Sequence, residues 1–162
     1  FGLFGYLFFN IYLKWGYSIL GGALTLSIMV LPLILRTTEE ALRSVSDTYR
    51  EGSFGLGAGK LRTVFRIVLP SAVPGILAGV ILAIGRIVGE TAALLYPAGT
   101  APQVADGLFS SGRTLAVHMY ALLNEGLYTE QAYATAVVLL VLVVCINALS
   151  SFVAKKAGVK EK

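Results

Sequence analysis

Two opposite charges, Arg86 and Glu90, lie inside an apolar segment that covers residues 71–95. A charged side chain within a membrane span is costly and normally faces a protein interior or a water-filled path. The guanidinium of Arg86 offers a planar fork of donors that matches the oxygens of an oxyanion such as phosphate. We therefore predict that both residues line a path for an anion. Because they are four residues apart, a mutual salt bridge that only orients helix packing is the alternative.

The helix predicted for residues 71–95 places both charges on a side made of small residues. At about 100° per residue, that side carries Gly75, Gly79, Ala83, Arg86, Glu90 and Ala93. The opposite side carries larger apolar residues that suit lipid, namely Leu77, Val80, Ile81, Ile84, Val88 and Leu95. Small residues spaced four apart let a second helix approach closely. We expect this helix to pack through its charged side.

The other reactive side chains stand alone. His118 has no second histidine or cysteine nearby, so we interpret it as a packed, hydrogen-bonded histidine rather than a metal ligand. Cys145 is the only cysteine, and its apolar neighbours indicate a small buried side chain. Neither a nucleophile–base pair nor a metal cluster accompanies Arg86 and Glu90, which argues against an intramembrane enzyme. We predict no catalytic residue, no metal and no cofactor.

The composition predicts an all-α membrane protein. Of the 162 residues, 56% are hydrophobic and 14% are charged, whereas about a quarter of a soluble domain is charged. Three segments reach the roughly 20 apolar residues that a spanning helix needs, namely 17–35, 71–95 and 133–153. Residues 1–13 are too short to span alone and are expected to be the end of a helix that starts earlier. The net charge of +4 falls in segments that flank the spans, so no nucleic-acid partner is predicted.

The distribution of basic residues predicts the orientation. Six Lys or Arg residues lie in the loop 36–70, and four lysines, Lys155, Lys156, Lys160 and Lys162, lie in the tail 154–162. The loop 96–132 contains Arg113 as its only basic residue. Because basic residues are retained on the cytoplasmic side, we expect the loop 36–70 and the tail inside, and the loop 96–132 outside. Short helices are expected around residues 113–124 of the external loop.

The sequence of the loop 36–70 predicts several short helices rather than an unstructured connection. Thr37 with Glu40, and Thr48 with Glu51, have capping-box spacing and predict two helix starts. Four glycines are then expected to break or bend the chain, Gly52, Gly55, Gly57 and Gly59. A third helix is expected from about residue 60 to 69, with one apolar face formed by Leu61, Val64, Phe65, Val68 and Leu69. Pro70 and Pro74 are expected to mark the turn into the next span.

These glycines do not form a nucleotide-binding loop. Gly55 and Gly59 are one residue too close for a P-loop, and Lys60 is followed by Leu61 rather than by Ser or Thr. A helix attracted to the surface of an anionic membrane is a second interpretation of this loop.

The spacing of the loop resembles the EAA loop of ABC-importer permeases, E-A-A-x3-G-x9-I-x-L-P. The chain has Glu51-Gly52-Ser53, three residues, Gly57, nine residues, and Ile67-Val68-Leu69-Pro70. It departs from the family at Gly52 and Ser53, where two alanines are usual. The resemblance implies a coupling helix that sits in a cleft of an ATPase subunit, with Glu51, Gly52, Ser53, Gly57, Ile67, Leu69 and Pro70 as its residues.

Three further runs resemble the phosphate-specific, PstA-type permeases. They are R-T-T-E-E-A-L at 36–42, G-R-I-V-G-E-T-A-A-L-L at 85–95 and R-T-L-A-V-H-M-Y at 113–120. The resemblance implies a MetI-like ABC-importer transmembrane domain, with three complete spanning helices plus a partial N-terminal one. Since such subunits have about six spans, we expect this chain to be the C-terminal portion of one.

The same resemblance implies a function and a set of partners. The chain would be a permease subunit of an ATP-driven phosphate importer in the plasma (inner) membrane of a bacterium or archaeon. Its partners would be a dimeric ABC ATPase, a second homologous permease, a periplasmic or lipid-anchored phosphate-binding protein, and membrane lipid. A permease for another solute, and a channel or scaffold that needs no ATPase, are the alternatives.

Overall fold

The computed structural model describes residues 1–126 and 128–158, and these residues form helices and loops without a strand. In chain order the helices are α1 (Gly2–Tyr12), α2 (Ile19–Arg43), α3 (Asp47–Gly55), α4 (Lys60–Val88), α5 (Ala92–Leu95), α6 (Leu115–Glu125) and α7 (Thr129–Gly158). Three of them, α2, α4 and α7, are long and apolar enough to cross a membrane. The predicted fold class is therefore confirmed in its helical content and in its number of membrane-length helices.

Helix α2 continues well beyond the predicted end of the span at residue 35 and ends at Arg43. The predicted helix start at Thr37 is wrong, because its hydroxyl donates to the carbonyls of Leu33 at 3.0 Å and Ile34 at 3.2 Å. A threonine inside a helix commonly bonds to the preceding turn in this way. Glu40, the other half of the predicted capping box, instead pairs with Arg36 at 3.2 Å. Such pairs one turn apart support an exposed helix.

Helix α4 runs without interruption through both predicted turn residues, so the expected turn at Pro70 and Pro74 is wrong. Residues Val64–Val68 form a π-helical segment that ends two residues before Pro70. Proline lacks the N–H that an α-helix needs, and a π-helical turn shifts the acceptor by one residue. The proline therefore coincides with a change of helical register and not with a turn.

Helix α4 ends at Val88, so the predicted segment 71–95 is not one continuous helix. Residues 89–91 separate α4 from the short helix α5. The carboxylate of Glu90 accepts a hydrogen bond from the backbone N–H of Ala93 at 3.1 Å. Side-chain bonds of this kind satisfy the free N–H groups at a helix start and compete with continuation of the preceding helix. A glycine at position 89 further weakens helical continuity.

The chain divides into two compact units, and the first comprises Phe1–Leu31 and Ile84–Ile146. Its buried apolar residues are Leu26, Ala93, Leu94, Ala98 and Val117. The start of α2 is bonded to carbonyls of the loop that follows α5. The N–H of Ile19 donates to Ser110 at 3.0 Å, and the N–H of Leu20 donates to Leu108 at 2.9 Å. These bonds satisfy donors that a helix start leaves free and order the irregular loop.

Within this loop region, α6 lies close to the predicted short helix at 113–124. The hydroxyl of Thr114 accepts from the N–H of Val117 at 3.4 Å and so caps its start. Gly126 ends it with a positive φ of 68°, a conformation that glycine adopts at little cost.

The second unit comprises Pro32–Ala83 and Asn147–Lys162. Its core is formed by Ala41, Val45, Val68 and Ala72. A Cβ placed on Gly75 would lie 2.8 Å from the Cβ of Ala41, and one on Gly79 would lie 2.3 Å from Oγ1 of Thr37. Helices α2 and α4 therefore pack closely through the small residues that the sequence placed on one side.

The last helix, α7, begins before the predicted span 133–153 and extends to Gly158. Part of the predicted tail 154–162 is thus helical. Residues 159–162, which include Lys160 and Lys162, lie outside the described residues.

Candidate functional site

Helix α3 is fixed at its start by short polar side chains. Ser46 is the residue that caps it, two positions before the predicted Thr48, and its hydroxyl accepts from the N–H of Thr48 at 3.4 Å. Arg50 forms an ion pair with Asp47 and donates to the backbone carbonyl of Leu42 at 2.9 Å. Since Leu42 lies in the last turn of α2, Arg50 satisfies one of its free carbonyls. The sequence therefore predicted this helix but misplaced its cap.

A tight turn follows α3 at residues 56–59. The N–H of Leu56 donates to Gly52 at 3.1 Å, and the N–H of Ala58 donates to Ser53 at 3.1 Å. Gly57 has a φ of +80°, where a Cβ would be strained. Of the four glycines expected to break the chain, Gly52 and Gly55 remain helical. The break lies at Gly57 and at Gly59, the residue that precedes α4.

Two buried hydroxyls join α3 to α4. Oγ of Ser53 lies 2.8 Å from Oγ1 of Thr63, and the two residues are only 5% and 1% exposed. Thr63 also donates to the carbonyl of Gly59 at 3.2 Å, so the Ser53 hydroxyl donates to Thr63. Sequence analysis missed this bond. Two features of the sequence could have indicated it. Ser53 replaces the usual alanine, and Thr63 supplies a second hydroxyl in the next helix.

The predicted apolar face of α4 is divided between core and solvent. Val68 is buried, whereas Leu61 is 76% and Phe65 is 65% exposed. Leu56, in the turn before α4, is 91% exposed. We name these three residues the loop surface. Apolar side chains exposed in a loop that flanks the spans are candidates for contact with a partner.

Only part of the predicted loop motif is gathered in one place. A cleft of about 380 Å³ is lined by Ser53, Leu56, Gly57, Ala58, Arg62, Arg66 and Ile67. Glu51, Gly52 and Pro70 are exposed outside it, and Leu69 is half-buried. Arg62 and Arg66 were not among the predicted site residues, although their spacing of one helical turn was visible in the sequence.

The two charges of the predicted path do not pair with each other. Arg86 is exposed, and Glu90 is half-buried. Arg86 lies in α4, but Glu90 lies beyond its end and bonds to the N–H of Ala93. The expected geometry of two residues one turn apart on a single helix is therefore wrong. In its place, the structure assigns Glu90 a role at the start of α5.

Asn10 is a polar site that sequence analysis missed. It is buried, and its Nδ2 donates to the carbonyls of Tyr96 at 3.4 Å and Pro97 at 3.3 Å. It thereby ties α1 to the segment that follows α5. Its Oδ1 is buried without a hydrogen-bond partner among the described residues. The signal was a single amide within the apolar run at 6–13.

The isolated side chains differ in their surroundings. Burial lowers the pKa of His118, and the charge of Arg113 lowers it further, while Glu125 acts in the opposite direction. Across residues 1–126 and 128–158, no cluster of His, Cys, Asp or Glu could hold a metal ion. Cys145 is exposed, and its predicted burial is therefore wrong. No other described part of the chain covers the face of α7 that carries it. Asn147 is also exposed.

Comparison with known proteins identifies the family. Residues 1–159 match the family described as "Binding-protein-dependent transport system inner membrane component". The probable ABC transporter permease protein YqgI of Bacillus subtilis is 40% identical over 142 residues, which cover 80% of this chain and 48% of that protein. The phosphate transport system permease protein PstA homolog of Mycoplasma pneumoniae is 36% identical over 160 residues, covering 94% of this chain and 25% of that protein.

A third relative, the phosphate transport system permease protein PstA 2 of Mycobacterium bovis, is 44% identical over 98 residues, covering 60% of this chain and 33% of that protein. No solved structure matches the chain. The chain spans between a quarter and a half of the length of these relatives. The predicted PstA-type resemblance is confirmed. The chain is a multi-pass membrane protein that belongs to the family of inner-membrane components of binding-protein-dependent transport systems.

Proposed function

We propose that this chain is part of the permease subunit of an ATP-driven phosphate importer. Phosphate transport is the function named for the relatives from Mycoplasma and Mycobacterium. The proposed substrate is therefore inferred from similarity to these relatives, and the proposed coupling role is inferred from the geometry of the loop. A permease of this kind carries out no covalent chemistry itself, since ATP is hydrolysed in a separate subunit.

The observation that carries the proposal is the loop surface. The loop exposes three apolar side chains, while the Ser53–Thr63 hydrogen bond joins α3 to α4 and Arg50 joins α3 to the end of α2. A preformed apolar surface loses little conformational entropy when a partner binds it. An ABC ATPase subunit is the partner that this loop fits, with Glu51, Gly52, Ser53, Gly57, Ile67, Leu69 and Pro70 at or next to the contact. A second permease and a phosphate-binding protein would complete the importer.

The distribution of charge supports a cytoplasmic position for this loop. Six basic residues lie between residues 36 and 70, compared with Arg113 alone between 96 and 132. By the positive-inside rule, the loop between α2 and α4 lies in the cytoplasm and the loop before α7 lies outside. The chain would then reside in a bacterial or archaeal plasma membrane.

The proposed path for the anion includes Arg86. It is an exposed arginine near the end of a membrane-length helix, and a guanidinium binds phosphate oxygens in a bidentate manner. Glu90 is not paired with it, so the proposed role of Glu90 is to hold the backbone beside Arg86. Helix α4 carries both the loop residues at its start and Arg86 near its end. Movement of the loop by the ATPase would therefore act on the helix that carries Arg86.

Uptake of labelled phosphate into cells or proteoliposomes tests this proposal in the assembled transporter. We expect Arg86→Ala to abolish uptake and Arg86→Lys to retain a fraction of it. The exposed Arg43→Gln variant, outside the proposed path, serves as the control and should transport normally. Normal uptake by Arg86→Ala would overturn the path. Uptake of another solute in place of phosphate would assign the permease to a different substrate.

A further inference from the structure

The basic residues of the loop fall into two groups. Three of them pair with an acidic side chain on their own helix: Arg36 with Glu40 at 3.2 Å, Arg43 with Glu39 at 2.7 Å, and Arg50 with Asp47. The other three, Lys60, Arg62 and Arg66, lie on α4 and have no acidic partner among the described residues. The first group is neutralised within the chain, and the second is available to a partner.

Two members of the second group share a recess. Arg62 and Arg66 are one helical turn apart and both line the cleft of about 380 Å³ beside the Gly57 turn. Its remaining lining contains no acidic residue and consists of Ser53, Leu56, Gly57, Ala58 and Ile67. Two arginines beside an uncharged lining favour an anion, and the planar guanidinium fork matches the two oxygens of a carboxylate.

We propose that this cleft receives an Asp or Glu side chain of the ATPase subunit and so determines which ATPase the permease accepts. This inference rests on the proposed function. Leu56 of the loop surface lines the cleft, and Leu61 and Phe65 directly precede its two arginines in the sequence. Interfaces between proteins typically combine aromatic and apolar anchors with arginine. Specificity between partners commonly depends on such charge complementarity.

An anionic membrane surface fits the site less well. Helix α3, which contributes Ser53 to the cleft, also carries the exposed Glu51. Acidic side chains are repelled by an anionic lipid surface. A single carboxylate that enters the recess approaches the two arginines without requiring the rest of α3 to approach negative charge.

The test measures binding of the purified ATPase to the complete permease in neutral-lipid nanodiscs. Arg62→Gln and Arg66→Gln should each weaken binding about tenfold, and Arg62→Glu should weaken it further. Arg43→Gln is the matched control, since Arg43 is also exposed but is paired with Glu39, and it should bind normally. A Lys substitution at an acidic position on the docking face of the ATPase should restore binding to Arg62→Glu but not to the unchanged permease. This reciprocal rescue also shows that the variant is folded.

The outcomes separate this inference from the proposed function. If the Gln variants bind the ATPase normally while Phe65→Asp abolishes binding, the cleft has no role although the loop still couples. If Phe65→Asp also binds normally, the coupling role of the loop itself is wrong. If the Gln variants lose their interaction with vesicles that contain anionic lipid while they bind the ATPase normally, the arginines would be assigned to the membrane and the inference would be overturned. If the permease without ATPase binds inorganic phosphate at this loop and Arg62→Gln abolishes that binding, the arginines would be assigned to free anion and the inference would be overturned too.

Discussion

One of the two departures of this loop from the usual family pattern is a hydroxyl. Ser53 stands where alanine is common, and its side chain is buried against Thr63. An alanine at this position needs no partner, whereas a buried hydroxyl is destabilising unless it is hydrogen-bonded. The two residues therefore depend on each other. Thr63 accepts from Ser53 and donates to the carbonyl of Gly59, whereas the acceptor of the Ser53 hydroxyl is Thr63 itself.

This asymmetry predicts unequal effects of removing either hydroxyl. Ser53→Ala should cost about 1 kcal/mol, because Thr63 keeps its bond to Gly59. Thr63→Val should cost more, about 1–3 kcal/mol, because the Ser53 hydroxyl is left buried without an acceptor. The double variant should be less destabilised than the sum of the two, and chemical denaturation in detergent measures the coupling. Strict additivity would mean that the hydroxyls do not interact.

His118 gives a pH dependence whose direction follows from its surroundings. Burial and the charge of Arg113 hold its pKa below the ordinary value of 6.5, so the folded chain favours the neutral imidazole. The stabilisation is complete above the ordinary pKa and is lost as the pH falls through the lower, folded value. We expect the midpoint of thermal unfolding to decline over this range. In His118→Gln the part of this decline that comes from the histidine should disappear, and in Arg113→Gln the decline should be smaller. If the midpoint of His118→Gln depended on pH as in the unchanged chain, the histidine would be excluded as the source of the decline.

At the scale of the elements, the long helices were predictable and their interruptions were not. Spanning requires about 20 apolar residues in a row, and that signal is local in the sequence. The break after Val88 coincides with the side-chain bond of Glu90 to Ala93, and within the extended α2 the Thr37 hydroxyl bonds to the preceding turn and does not cap a new helix. The continuation through Pro70 depends on a π-helical segment. Contacts such as Asn10 with the carbonyls after α5 join residues that are 86 and 87 positions apart, which no local pattern reveals.

Close packing of α2 on α4 predicts opposite effects for two glycine substitutions. A Cβ on Gly79 would lie 2.3 Å from Oγ1 of Thr37, whose hydroxyl is bonded to Leu33. Gly79→Ala should therefore cost about 1–3 kcal/mol through overpacking. Gly52→Ala is the matched control, since it lies within α3 with nothing near its Cβ position. It should be neutral or stabilise the fold by up to about 1 kcal/mol through helix propensity.

Thermal unfolding of the two variants in the same detergent provides the measurement. If Gly79→Ala were as stable as Gly52→Ala, the helices would be further apart than the structure places them.

For the molecule as a whole, composition alone predicted a membrane protein, and residue spacing predicted its family. The apolar segments carried the first conclusion, and the Glu51–Pro70 spacing carried the second. The binding cleft was only half predicted. The motif residues Ser53, Gly57 and Ile67 line it, but Arg62 and Arg66 became recognisable only when the structure separated paired from unpaired cations.

The orientation of the chain in the membrane leads to a prediction that uses two exposed loop residues. Leu56 and Val104 are each 91% exposed, and they lie in the basic loop and in the loop with a single basic residue. In a full-length permease without other cysteines, Cys145 included, a membrane-impermeant maleimide should label Leu56→Cys only from the cytoplasmic face and Val104→Cys only from outside. The charge asymmetry that retains basic loops in the cytoplasm gives the reason.

The same labelled position also reports on the proposed partner. Because Leu56 belongs to the loop surface, bound ATPase should shield it, and labelling of Leu56→Cys in inside-out vesicles should slow when purified ATPase is added. Val104→Cys, labelled in right-side-out vesicles under the same conditions, should be unaffected and controls for nonspecific effects. Labelling of Leu56→Cys from outside would reverse the topology. It would also remove the loop surface from the reach of any nucleotide-driven subunit, because ATP hydrolysis takes place in the cytoplasm.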